Sequence, residues 1–294
     1  MKMKKLFLFV AMAAVMASCS KDEKEVVTSG GLVPLNVSYA NLTAVKTRAA
    51  LTAGSLGVFQ TVTTDGYSAL SNIQYTWGTG WAAADLAKTI YLNDKNASFL
   101  AYYPYSVDAN TGTVTLTSAK NIETNDLSYT RVASTAKNIA PTVNFVMDHA
   151  YSQIEFNITK DATYTGAGSV GNISIANAAV LTSNTLDMIT NTYGAGTAGA
   201  VTYDAGIATT TATPTVSKVL MVPVAEITGG ITLTFVVDGV NLIATLPQTS
   251  LSALVAGSNY KVATTLKGTK LVIGTVEVTD WEDAAVTGEI VPIP

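Results

Sequence analysis

The sequence predicts an all-β protein built from antiparallel β-sandwiches. Apolar and polar residues alternate with a period of two along most of the chain, and helical periodicity is nearly absent. Only 13% of the 294 residues are charged, against a usual share of about 25%. Thr, Ala, Val, Ser, Asn and Gly fill the deficit. Thr and Val suit the pleated surface of a strand, and Gly and Asn suit the turns between strands. Many short strands at close spacing, with turn residues between them, indicate sandwiches.

The chain opens with Lys2, Lys4 and Lys5, followed by an uncharged apolar run over residues 6–17. A positive start, a short apolar run and small residues describe an export signal. The run is shorter than the roughly 20 residues needed to cross a bilayer. Ala17-Ser18 precedes Cys19, the only cysteine, so the segment resembles a lipobox in which Cys19 is acylated. With Cys19 lipidated, no thiol is left for a disulfide, a metal or nucleophilic catalysis. Residues 20–25, with Asp22, Glu23 and Glu25, form a charged tether. Removing residues 1–18 takes away three lysines and none of the 21 acidic side chains. The acidic balance argues against nucleic acid as a partner.

The predicted strands follow in order. Val33, Leu35, Val37 and Tyr39 share one face of a first strand over residues 32–43. Residues 89–92 and 98–103 are strands, and residues 113–117 read as a hairpin arm after the turn Asn110-Thr111-Gly112. Trp77-Gly78-Thr79-Gly80-Trp81 reads as a tight turn between strands. A domain boundary is placed near Ala140-Pro141, after which residues 143–147 open a new strand system. Ile154, Phe156 and Ile158 alternate with Glu155 and Asn157. Residues 230–237 and 241–246 flank Asp238-Gly239 at hairpin distance. Residues 251–255 read as one helical turn, and 260–266 and 271–278 as late strands.

Candidate chemistry is sparse. Residues 166–171 and 194–199 both match GxGxxG. Phosphate binding needs a helix after the glycines, and each match runs into a strand-like segment, so hairpin loops are the better account. His149 is the only histidine and is placed at a strand start as a structural residue, because one histidine without cysteines builds no common zinc site. Asp280, Glu282 and Asp283 cluster around Trp281, but nothing sets two of them across a cleft as a glycosidase requires. Trp77, Trp81, Tyr102, Tyr103 and Tyr105 are either a sugar-stacking platform or core, with core favoured. No enzyme activity, metal or cofactor is expected.

The most informative feature is the first strand followed by Thr47-Arg48-Ala49-Ala50, a good substrate for an arginine-specific protease. Arg48 and Arg131 are the only arginines. Four inward apolar side chains contribute on the order of 6–12 kcal/mol, comparable to the whole stability of a domain, about 5–15 kcal/mol. Cutting the linker would leave an apolar groove with unpaired backbone edges.

The lipobox at Cys19, the Thr47-Arg48-Ala49 site, residues 143–156, the run Gly257-Ser258-Asn259-Tyr260-Lys261-Val262 and the closing Val276-Glu277-Val278-Thr279-Asp280-Trp281 together resemble the fimbrillin family, subunits of type V pili. That resemblance implies two tandem transthyretin-like antiparallel β-sandwich domains and export as a lipoprotein to the cell outer membrane. It also implies cleavage between Arg48 and Ala49, then polymerisation with other pilin subunits by strand exchange, giving an adhesive surface fimbrium. On this reading residues 1–18 are the signal peptide, 19–31 the tether, 32–48 the cleavable strand and linker, 49–140 the first sandwich and 141–294 the second. The donor is the tail carrying Val286, Ile290, Val291 and Ile293. The alternative is a surface lipoprotein that binds glycan or a host protein and does not polymerise.

Overall fold

The computed structural model describes residues 31–42, 49–61, 67–118 and 125–281. In chain order the strands of the first half are β1 (Val33–Pro34), β2 (Asn36–Leu42), β3 (Ala49–Ala50), β4 (Ser55–Thr61), β5 (Leu70–Trp77), β6 (Trp81–Ala83), β7 (Tyr91–Leu92), β8 (Ala97–Tyr103), β9 (Thr113–Thr117), β10 (Ser128–Tyr129), β11 (Ser134–Ala136) and β12 (Thr142–His149). Those of the second half are β13 (Ser152–Lys160), β14 (Ser169–Ala176), β15 (Leu181–Asp187), β16 (Thr192–Tyr193), β17 (Thr197–Ala198), β18 (Val201–Ala208), β19 (Thr215–Met221), β20 (Ile231–Val237), β21 (Val240–Leu246), β22 (Ser258–Lys267) and β23 (Lys270–Asp280). The fold class is all-β, as the alternation predicts. No helix among the described residues is long and apolar enough to cross a membrane.

The first half is a sheet that closes on itself. Strands run in the order β10-β12-β2-β6-β5-β4-β8, and β10 pairs with β8 as well as with β12. Closure removes most free edges. Leu56, Val58, Tyr75, Phe99, Phe145 and Met147 fill the interior. The Trp77–Trp81 turn is present as expected, with the two residues paired across β5 and β6 and their rings edge to face at 5.4 Å.

The second half is a two-sheet sandwich. One sheet has the order β19-β13-β22-β23 and the other β18-β14-β20-β21. Ile154, Phe156 and Ile158 point inward from β13 as their alternation predicts, and Phe156 meets Phe235 edge to face at 5.3 Å. The β20–β21 hairpin turns at Asp238 (φ 49°) and Gly239 (φ 80°). Both central residues are left-handed, the type I′ geometry that matches strand twist.

A third small sheet joins β9 to β15, with β16 and β17 alongside. Between the halves lies a separate core of Leu116, Tyr129, Tyr151, Leu186, Leu220 and Trp281, among others.

Several local expectations are corrected. Residues 113–117 are not a local hairpin arm; β9 pairs with β15 about seventy residues on, from Thr113↔Asp187 to Thr117↔Ser183. Residues 143–147 do not open a new system but belong to the first sheet, since β12 pairs with β2 and β10. The chain changes sheets after His149, at Ala150–Tyr151, rather than at Ala140-Pro141. Residues 251–255 form no helical turn; Leu254 bridges to Val224.

Candidate functional site

The first strand lies inside the closed sheet. β2 pairs in parallel with β12 from Asn36↔Thr142 to Leu42↔Met147, and on its other side meets β6 at Val37↔Trp81. Its neighbours extend the ladder. The Leu35 N–H donates to the Ile90 carbonyl at 2.8 Å, Asn36 N–H to Pro141 O at 2.8 Å, and Leu51 N–H to the Ala40 carbonyl at 2.9 Å. The Asn36 side-chain amide donates to Thr142 Oγ1 at 3.2 Å.

Leu35, Val37 and Ala40 are buried against the interior cluster that includes Val143, Phe145 and Trp81. The simple alternation expected from Val33 to Tyr39 is broken by a bulge. The register shifts where Val37 and Tyr39 face Val143 and Asn144, and Ala40 then takes the inward place. Full burial of Leu35 and Val37 contributes about 3–6 kcal/mol together. That is less than the sequence estimate, because Val33 is only half-buried and another inward position is an alanine. Withdrawing β2 would still open the parallel edge of β12 over its six paired residues.

The chain leaves β2 at Leu42, which sits opposite Ala49 at the start of β3. Residues 43–48 join these partners, so Arg48 immediately precedes a paired strand end. Arg48 itself lies outside the described residues, as do the lipidation residue Cys19, the tether, and the tail residues Val286, Ile290, Val291 and Ile293. Of the cleavage pair only the Ala49 backbone is placed.

The same end of β12 receives the last described residue. His149 closes β12 and does not begin a strand, which corrects its expected place. Its ring stacks on Trp281, centroids 4.1 Å apart and 7° from parallel. The Asp126 carboxylate lies 2.9 Å from His149 Nδ1, with both side chains largely buried. The Trp281 backbone N–H donates to the Gly257 carbonyl at 2.9 Å. Since Leu42 pairs with Met147, the departure of β2 toward Arg48 and the root of residues 282–294 converge on one strand end. No sequence pattern announces this stack, because His149 and Trp281 lie 132 positions apart.

The other sequence candidates scatter. Residues 166–168 lie in the connection from β13 in one sheet to β14 in the facing sheet, and 169–171 open β14, so this glycine run ends a crossover and is not a hairpin loop. Asp238 fastens it: its carboxylate accepts from Gly168 N–H, Ser169 N–H (both 2.9 Å) and Tyr164 O–H (2.8 Å). These donors hold the Asp238 carboxyl below its usual range. Residues 194–199 lie around β16 and β17. The five aromatic residues form no platform: Trp81 and Tyr102 are buried, and Trp77, Tyr103 and Tyr105 pack against core clusters. Asp280 ends β23, and Glu282 and Asp283 lie outside the described residues.

Two further features were not anticipated. An open cavity of about 420 Å³ is lined by Tyr102, Asp108, Thr115, Asn125, Leu127 and Tyr151, among others. On β13, Glu155 accepts from Asn259 Nδ2 at 3.1 Å and Asn157 Nδ2 at 3.2 Å, and pairs with Lys218 at 3.3 Å. Burial pushes this carboxyl up, but those donors and the lysine charge outweigh burial and hold it below its usual range.

Comparison with known proteins places this architecture. The fold is shared with a candidate cell adhesion protein of Bacteroides uniformis (23% identity, 85% of this chain and 99% of that one, TM-score 0.65). It is also shared with a candidate cell adhesion protein of Bacteroides ovatus (17% identity, 86% and 99% coverage, TM-score 0.66). A fimbrial protein of Bacteroides vulgatus matches at 16% identity, 85% and 99% coverage and TM-score 0.53. Among curated proteins there is no significant match. The family model described as fimbrillin-like matches residues 43–281. That span covers most of the sequence and both halves of the fold, and the chain therefore belongs to the fimbrillin-like family.

Proposed function

We propose that the chain is a structural subunit of an adhesive surface fimbrium, exported as a lipoprotein through Cys19 and activated by cleavage between Arg48 and Ala49. The two halves act as tandem transthyretin-like units. Cleavage severs the covalent tie of the first strand, and the tail of a neighbouring subunit, through Val286, Ile290, Val291 and Ile293, takes its place. The observation that carries this reading is the seat of β2: an internal strand with Val37 and Ala40 buried, and Leu35 buried just before it, joined to the rest of the fold through the six residues that end in Arg48.

The physical logic is replacement. A vacated seat presents an apolar floor and the unpaired edge of β12, which an extended segment from another molecule satisfies with the same backbone hydrogen bonds. One molecule's tail in the next one's seat is a head-to-tail contact that propagates into a filament. Convergence of the β2 exit and the tail root at His149 supports this reading.

The test is N-terminal sequencing and electron microscopy of surface material from cells carrying the natural chain or Arg48→Ala. The expected result is a mature N-terminus at Ala49 with filaments, and an uncut, filament-free Arg48→Ala variant. Filaments from Arg48→Ala overturn cleavage-driven assembly. A natural chain that keeps Cys19 as its N-terminus and forms no filaments identifies the non-polymerising surface lipoprotein instead.

A further inference from the structure

We propose that β23 is a homotypic docking edge, where a second copy of this chain pairs β23 to β23, antiparallel, independently of the β2 seat. β23 is the longest strand among the described residues, at 11 residues, and it ends its sheet. It pairs with β22 alone among the described strands. Exposed edge strands are normally blunted by shortness, proline or mid-strand charge. On the opposite side of the sandwich, β18 and β19 follow that rule, carrying Asp204 and Lys218 within the strand. On this side the blunting is weaker. β21 carries no charge, and β23 carries none between Lys270 and Glu277. Val240, Ile243, Val272 and Val278 are all exposed there.

The occupant follows from charge placement. Antiparallel self-pairing centred between Ile273 and Gly274 sets Lys270 against Glu277 of the second copy, and Glu277 against Lys270 of the second copy. Leu271 then meets Val276, and Val272 meets Thr275. The contact is isologous, so each favourable pair occurs twice. The bulge in β23, where Ile273 and Val276 face Thr264 and Val262, lies at this two-fold point, so both copies bend at the same place. Any other partner strand would have to carry this spacing of opposite charges; the chain's own β23 already does.

The experiment is sedimentation of the full chain carrying Cys19→Ser and Arg48→Ala, so that neither lipid nor strand exchange contributes. The expected result is a reversible, concentration-dependent dimer. Lys270→Glu or Glu277→Lys alone should weaken it about tenfold, because each substitution places like charges opposite one another at two sites. The double variant should restore the original affinity to within about threefold, and Val272→Lys should abolish the dimer. A chain that stays monomeric up to ~1 mM (the weak limit of specific association) overturns the proposal. So does a dimer indifferent to the single reversals, or one that the double reversal does not restore. Loss of filaments in the cleavage experiment leaves these readouts untouched.

Discussion

His149 and Trp281 lie face to face at 4.1 Å, tying the last residue of β12 to the residue after β23. The pair closes the core between the two halves, with Trp281 4% exposed. Trp281→Ala should therefore destabilise the uncut chain by about 3–5 kcal/mol. A double-mutant cycle with His149→Ala isolates the stack itself, for which about 0.5–1.5 kcal/mol of coupling is expected. Urea unfolding of the four proteins measures both. Additive effects of the two substitutions would mean that the stack is incidental to the junction.

The seat of β2 predicts a local effect as well as a global one. Val37 is 3% exposed, opposite Val143 on one side and Trp81 on the other. Val37→Asp in the uncut chain buries a charge beside apolar side chains and should loosen the whole strand. Amide hydrogen exchange should then speed up in residues 142–147, the ladder partners of β2, while β13 and β22 in the second half keep their protection. Unchanged exchange along β12 would show that β2 is not needed to hold that edge.

How much of this was legible in the sequence depends on how far apart the partners are. The β20–β21 hairpin was readable because Asp238-Gly239 and its flanking alternation lie within sixteen residues and turn chemistry fixes the register. The inward face of β13 was readable because Ile154, Phe156 and Ile158 alternate cleanly. The hairpin assigned to residues 113–117 failed because Gly112 does make a turn (φ 80°), yet the partner strand, β15, comes from far along the chain. The boundary at Ala140-Pro141 failed for the same reason. The alternation of Val143, Phe145 and Met147 says that one face is buried, but cannot say that β2, some hundred residues earlier, is the parallel neighbour. Gly57 shows the finest grain: a Cβ there would fall 1.9 Å from the Tyr102 ring, a constraint set by cross-strand packing that no local motif reports.

Protease selectivity follows from the two arginines. Arg131 is anchored, with Nε 3.3 Å from the Asp148 carboxylate, Nη2 donating to the His149 carbonyl at 3.3 Å, and the guanidinium 5.7 Å from the Tyr129 ring centroid. A side chain engaged by three groups is a poor fit to a protease pocket. Limited digestion with an arginine-specific protease should give one new N-terminus, Ala49, and Asp148→Ala should open a second at Val132. Early cleavage after Arg131 in the natural chain would contradict this protection.

Acid should weaken the second half through Glu155 and Asp238. Both carboxyls titrate below their usual range in the folded chain, Glu155 because hydrogen bonds from Asn259 and Asn157 and the Lys218 charge outweigh burial, and Asp238 through its donors from Gly168, Ser169 and Tyr164. The unfolded chain takes up protons first as pH falls through about 4. Between that point and the folded values it binds more protons than the native state, so stability rises with pH across the interval. The contribution is present in full above about pH 5 and lost as pH falls through the folded values. Glu155→Gln and Asp238→Asn should each lower stability at pH 7 and flatten its decline between pH 5 and 3, by urea unfolding at several pH values. Glu155 should show the larger effect, because its carboxylate is partly buried among amide donors, whereas solvent screens the exposed Asp238.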